Sequence, residues 1–253
     1  MSEQVLTEVR DGVIEVTINR PEAKNAMTKQ AAEAIAAAMD RLDAESDLRC
    51  AVLTGAGGSF CSGMDLKGFL KGELPVAGNR GFGGLTSWTP KKPVIAAVDG
   101  YALAGGMELA IACDMIVASK GAKFGIPEVK RGLAAGGGGM VSLPRLLPRP
   151  LAMELALTGD PLTAERAHEL GLVNIVTDGP AIDGARELAA RIAANGPLAV
   201  IASKGVVRDS WLWADEEVVP RQNPYIAHVF QSEDAREGAM AFAEKRKPNW
   251  KGR

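Results

Sequence analysis

The chain has 253 residues, 47% of them hydrophobic and 24% charged, with a formal net charge of −2. That length can bury a sizeable core, and the balance is that of a globular chain rather than a disordered one. The near-neutral charge argues against a general polyanion-binding surface. No apolar run is long enough to span a bilayer, so neither nucleic acid nor membrane is an expected partner.

In chain order, the start Met1-Ser2-Glu3-Gln4-Val5 has neither a basic region nor an apolar core, so no leader is expected. Residues 4–10 and 12–19 alternate apolar and polar around Asp11-Gly12, the signature of a two-stranded hairpin. Thr28 can cap a helix over 29–45, with Ala31, Ala34, Ile35, Ala38, Met39 and Leu42 on one face. Strands follow at 50–54, 94–98, 114–118 and 173–177, with helices between them. From Pro180 the pattern is helical, at 182–194, 197–209 and about 233–245. A boundary near Asn195-Gly196-Pro197 divides a core, 1–195, from a helical region, 196–253. In that region Trp211, Trp213, Tyr225, Phe230 and Phe242 either pack on the core or meet another chain.

The chemistry concentrates in three segments. In the first, the apolar strand Cys50 to Thr54 runs into a Gly-rich turn, and Phe60 to Lys67 is expected to begin a helix. Lys67 is placed there to meet an anion. The glycines are not followed by Lys-Ser/Thr, which excludes a P-loop, and they lack the spacing of a dinucleotide fingerprint.

The second segment, Gly100 to Asp114, is apolar or Gly on every face from Leu103 to Cys113 except at Glu108. A helix apolar all round is a buried one. A carboxylate buried there needs a partner or takes up a proton. Gly105 and Gly106 fall where the helix begins, so free N–H groups and the positive end of the helix dipole face whatever docks there. Those are the parts needed for chemistry beside a carbonyl. The competing reading is a structural ion pair between Glu108 and an Arg or Lys.

In the third segment Glu128 follows Pro127 and is expected in extended structure. The run Gly132 to Gly139 suits close backbone approach to a ligand, or a helix start under close packing. Cys50, Cys61 and Cys113 are scattered, as for buried thiols in a reducing cytoplasm. His168 and His228 lie in separate segments and fit surface or structural roles better than a zinc site or a triad.

Along nearly its whole length the chain resembles the enoyl-CoA hydratase/isomerase (crotonase) superfamily. The matching segments are Asn19 to Met27, Phe60 to Lys67, Lys92 to Ala102, Gly105 to Ala110 with Cys113-Asp114, Ala122 to Glu128, and Phe242 to Trp250. The resemblance implies an α/β fold, a spiral of ββα units with a C-terminal helical trimerisation region. No internal sequence repeat reveals that spiral unaided. It also implies addition of water across the 2,3 double bond of a 2-enoyl-CoA. The family's hydratases carry two catalytic glutamates 20 positions apart, as are Glu108 and Glu128.

Position by position, the N–H groups of Met64 and Gly105 correspond to the oxyanion hole. Glu108 matches the water-holding glutamate and Glu128 the one that delivers a proton to carbon. Lys24, Asp65, Leu66 and Lys67, with Met64 and Gly105, fall where the family contacts coenzyme A, which belongs to the substrate. No separate cofactor or metal is implied, and a homotrimer or dimer of trimers is. Departures are Ala134-Ala135 and Gly138-Gly139-Met140 after Gly132, the size of Met64, and a Gly-rich stretch from Gly68 to Trp88 expected to form a mobile wall of the acyl pocket. An isomerase, a carnitinyl-CoA-type dehydratase and a non-catalytic acyl-CoA-binding protein are the alternatives.

Overall fold

The computed structural model describes residues 3–253; Met1 and Ser2, the first residues of the start read above, lie outside it. Strands β1 (Val5–Arg10) and β2 (Val13–Ile18) pair antiparallel across Asp11 and Gly12. Both turn residues have positive φ, 49° and 77°, the geometry that matches the strand twist in a tight hairpin. Helix α1 (Lys29–Ala44) starts where the sequence places it, the Ala31 N–H donating to the Thr28 hydroxyl. Strand β3 (Cys50–Gly55) then joins β2 in parallel.

After a short helix α2 (Leu66–Phe69) come β4 (Val94–Val98), β5 (Tyr101–Leu103) and α3 (Gly105–Ala112). Next are β6 (Met115–Ser119), β7 (Lys123–Gly125), α4 (Gly139–Leu146) and α5 (Arg149–Thr158). The core closes with β8 (Leu162–Thr163), α6 (Ala164–Glu169), β9 (Ile175–Thr177) and α7 (Ala181–Ala193).

The large sheet has six strands in the order β1-β2-β3-β4-β6-β9, parallel apart from the β1–β2 hairpin. Successive residues of its strands enter different clusters. Ala51, Leu53, Val94 and Ala96 join the cluster that holds Ile35, Met39 and Leu42 of α1, while Cys50, Val52, Ile95 and Ala97 meet Ala181, Ala185 and Ala189 of α7. Both faces are thus covered, which is why these strands read as unbroken apolar runs. A small second sheet, β5-β7-β8, runs alongside, and Cys61 extends it by a parallel bridge to Ala102. The units β4-β5-α3 and β6-β7 each give one strand to either sheet. That repetition lies in backbone placement, which explains its absence from the side-chain pattern.

The chain ends in α8 (Pro197–Asp209), α9 (Val218–Phe230) and α10 (Glu233–Ala243). The Lys204 ammonium, 2.6 Å from the Asp114 carboxylate, ties α8 to the core, and the Trp250 indole N–H donates to the Ala194 carbonyl. Pro220 and Pro224 broke the periodicity of α9 in the sequence; the first lies in its opening turn, and the second is carried inside the helix. The tail aromatics divide. Trp213 and Tyr225 lie 6.0 Å apart, whereas Trp211, Phe230 and Phe242 are 70%, 76% and 88% exposed. Among the described residues no helix is long and apolar enough to cross a membrane.

Candidate active site

Helix α3 is buried as its composition requires, and Glu108 is 3% exposed. Among the described residues no cation pairs with it. Its partners are main-chain groups from the glycine run: the Gly139 N–H donates to Oε1 at 2.8 Å, and the Gly137 N–H also points at the carboxylate. A Cβ at residue 137 would lie 2.6 Å from Glu108 Oε2, and one at residue 139 would lie 2.9 Å from Cγ. The glycines are therefore a cradle for this side chain as well as the start of α4. Burial pushes the Glu108 pKa above the ordinary carboxyl value, and the two N–H donors offset only part of that.

Glu128 sits in a 3-10 turn, Pro127–Arg131, rather than the extended structure expected of it. Proline restricts the residue before it, here Ile126 at φ −119° and ψ 72°, and suits the first position of a helical turn. Glu128 Oε2 is buried and has no hydrogen-bond partner among the described residues. Burial raises its pKa, its own N–H lowers it, the Glu108 charge raises it and Arg131 lowers it, with a net upward shift. Two carboxyls facing one cleft with raised pKa values are suited to proton transfer near neutral pH.

Between them lies the start of α3. Ala104 adopts φ 53°, ψ −130°, a region costly for any residue with a Cβ. Its N–H donates to the Gly125 carbonyl, and its carbonyl accepts from Met107 and Glu108. The Gly105 N–H is left without an acceptor among the described residues, and so is that of Met64. Met64 is brought close by parallel bridges, Cys61 to Ala102 and Met27 to Met64. Gly63 permits the approach: at φ 103° it is in a glycine region, and a Cβ there would lie 2.8 Å from Ala104 Cβ and 3.5 Å from Gly105 N. Two free N–H groups beside the start of α3 have the geometry to stabilise a developing oxyanion.

These groups line a cleft of about 1040 Å³ that runs outward past Lys24, Asp65, Leu66 and Lys67. The helix expected from Phe60 begins only at Leu66, because Cys61 and Met64 are tied by bridges to Ala102 and Met27, with a bend at Gly63 between them. Asp65 is its cap, accepting from the Lys67 and Gly68 N–H groups, and its other oxygen pairs with the Arg20 guanidinium at 2.8 Å. Burial opposes that charge, but Arg20 and the two N–H donors outweigh it, so the carboxyl lies below its usual range. Both Asp65 oxygens are thus committed within the chain. Leu66 and Lys67 are exposed at the mouth, and the Lys24 ammonium sits 5.1 Å above the Tyr101 ring.

Sequence reasoning missed three contributors. Asn25 is fully buried; its amide donates to the Ala56 and Ser59 carbonyls and accepts from the Arg20 N–H, fixing the loop that carries Lys24. Its buried amide leaves no periodic signal. Ala104 gave no hint of its backbone. Phe82 lies in the 68–88 stretch expected to wall the acyl pocket, but its contact with Gly105 and Gly137 has no sequence signal. Elsewhere, His168 Nδ1–H donates to the Val173 carbonyl, a structural role. Cys50 and Cys61 are buried thiols pushed up to about 12, and burial raises Cys113 as well. Among the described residues no cluster of His, Cys, Asp or Glu is arranged to hold a metal.

Known proteins place this geometry. A sequence model of the enoyl-CoA hydratase/isomerase family matches residues 8–253. Enoyl-CoA hydratase EchA19 of Mycobacterium tuberculosis is 43% identical over 98% of this chain and 96% of its own length. Carnitinyl-CoA dehydratase of Proteus mirabilis is 41% identical over the whole of both chains. The crystal structure of enoyl-CoA hydratase EchA1 from Mycobacterium marinum superposes with a TM-score of 0.97 at 55% identity, covering 100% of each chain. A family model matching residues 8–253, and relatives at 41–43% identity over nearly the whole of both chains, show that the chain belongs to the enoyl-CoA hydratase/isomerase family.

Proposed function

We propose that this protein is an enoyl-CoA hydratase, adding water across the 2,3 double bond of a 2-enoyl-CoA thioester. The observation that carries the reading is a buried Glu108 and a half-buried Glu128, whose Oε2 is shielded from solvent, lining one cleft beside the free N–H groups of Met64 and Gly105. The thioester oxygen accepts from those two N–H groups. As negative charge develops on it, the preorganised donors stabilise the enolate, each worth about 3 kcal/mol. Glu108, oriented by the glycine cradle, holds the attacking water and takes its proton as oxygen bonds to C3. Glu128, whose carboxyl pKa burial raises, supplies the proton to C2. Lys24, Leu66 and Lys67, with the main chain at Asp65, border the path of the coenzyme A moiety, where Lys24 and Lys67 meet phosphate.

Run backwards, the same steps dehydrate a 3-hydroxyacyl-CoA, and the full-length likeness to a carnitinyl-CoA dehydratase favours testing that direction too. A homotrimer or dimer of trimers, assembled through the helical region 196–253, is supported by the exposed Trp211, Leu212, Phe230 and Phe242. With three buried reduced thiols, a cytoplasmic setting is part of the reading. The test is a panel of 2-enoyl-CoA thioesters with mass spectrometry for products that have gained one water. Glu128→Gln should still bind the esters but lose turnover. Binding without turnover by the unaltered protein would favour an acyl-CoA-binding role, and a Glu128→Gln variant within tenfold of it would refute the proton-donor role.

A further inference from the structure

Phe82 lies against the reacting end of the cleft. A Cβ at Gly105 would overlap its ring, with ring carbons at 2.6 Å, and a Cβ at Gly137 would lie 3.3 Å from Phe82 Cβ. Gly105 offers the oxyanion N–H, and Gly137 belongs to the cradle of Glu108. Phe82 therefore borders the space between thioester carbonyl and activated water, where C3 of the acyl group must lie. Carbons beyond C3 meet its ring.

The part of the 68–88 stretch that carries Phe82 is tied to the core at several points. Gly83 packs on Leu109 of α3 and Gly84 on Ala32 and Ala36 of α1; both have positive φ, and a Cβ at either would clash. Leu85 is buried in the core. Arg80 clamps the segment from outside. Its guanidinium lies 3.8 Å over the Trp88 ring, pairs with Asp40 at 2.5 Å and donates to the Ala36 carbonyl.

We propose that Phe82, held in place by the Arg80 clamp, sets the size of the acyl group, admitting a short chain and excluding a long one. The inference rests on the acyl-thioester reading above and names its substrate class. Phe82 acts by occupying volume; Arg80 is a positioning residue that acts through it.

The experiment compares crotonyl-CoA with 2-octenoyl-CoA, and, for binding alone, butanoyl-CoA with octanoyl-CoA by calorimetry. The unaltered protein should favour the short ester in both. In Phe82→Ala the short-over-long ratio of kcat/KM should fall roughly tenfold or more, since each methylene admitted to an apolar pocket is worth about that factor. Phe82→Leu, which keeps more of the packing should Phe82→Ala fail to fold, should shift the ratio in the same direction by less. Arg80→Ala should also lower it, and the Phe82→Ala/Arg80→Ala double variant should lower it no further than Phe82→Ala alone, because a clamp without its ring has nothing to position.

Folded Phe82 variants with a ratio within twofold of the original would overturn the proposal, as would an original protein that favours the long esters. The binding arm separates this from the hydratase reading. If nothing is hydrated, that reading fails, while the butanoyl-over-octanoyl ratio still decides the role of Phe82.

Discussion

A single methyl group placed at Gly137 should disable Glu108, the carboxylate we propose activates water, without touching it chemically. A Cβ at that position would lie 2.6 Å from Glu108 Oε2 and 3.0 Å from Cδ, about 0.8 Å inside ordinary contact, and its other side meets Phe82 Cβ at 3.3 Å. The backbone of Gly137 is not in the left-handed region, so Gly137→Ala brings no conformational strain of its own. Helix α3 is fixed in the core, so the carboxylate has to move. Doing so breaks or lengthens its 2.8 Å bond from the Gly139 N–H, and a hydrogen bond to a charged group contributes about 1.5–3 kcal/mol. A displacement of about 1 Å in a catalytic group costs on the order of 10²-fold in rate. We expect kcat for crotonyl-CoA hydration, followed by loss of the conjugated enoyl-thioester absorbance, to fall by roughly that factor, with the melting temperature little changed. A folded Gly137→Ala variant within threefold of the original kcat would show that the glycine cradle does not position Glu108.

Three further outcomes follow from the same geometry. Lys67→Ala should weaken binding of an acyl-CoA while sparing a short acyl-pantetheine thioester, read as KM for the two esters; equal losses would assign Lys67 to the fold. Ala104→Gly should raise stability in urea by up to about 1 kcal/mol, because the strain of an Ala in that backbone region exceeds the chain entropy that Gly adds to the unfolded state; a loss of stability would contradict the strain. Glu108 and Glu128 both have folded pKa values raised above the ordinary carboxyl value of about 4.5, so they favour the folded state below that value and lose the contribution as pH rises through the folded values. The melting temperature of Glu128→Gln should therefore gain on the original protein as pH rises above 4.5, and a difference independent of pH would refute the assignment.

Much of this architecture was legible because apolar periodicity and turn chemistry are local properties. The Asp11-Gly12 hairpin, the Thr28 cap and the parallel strands at Cys50 and Val94 stand where the sequence puts them. Glu108 was legible as the single charge on an apolar helix. Its partners were not, because N–H groups of a distant glycine run carry no side-chain signature. The helix begins at Leu66, later than Phe60 suggests, because the bridges of Cys61 and Met64 to residues 102 and 27 are long-range. Glu128 was misread because the restriction that proline imposes was applied to the wrong neighbour. The clamp on the 68–88 stretch joins Arg80 to Asp40 on another helix, a pairing that no local pattern encodes.

The central claim is a division of labour, with water at Glu108 and the C2 proton at Glu128. It is tested most directly in Glu108→Ala, by measuring hydration of crotonyl-CoA beside exchange of the C2 protons of butanoyl-CoA in heavy water. Exchange needs the oxyanion donors and Glu128 but no bound nucleophile. The account predicts that hydration falls by about 10²–10⁴ while exchange stays within tenfold of the original protein. Normal hydration by this variant, or equal loss of both reactions, would contradict it.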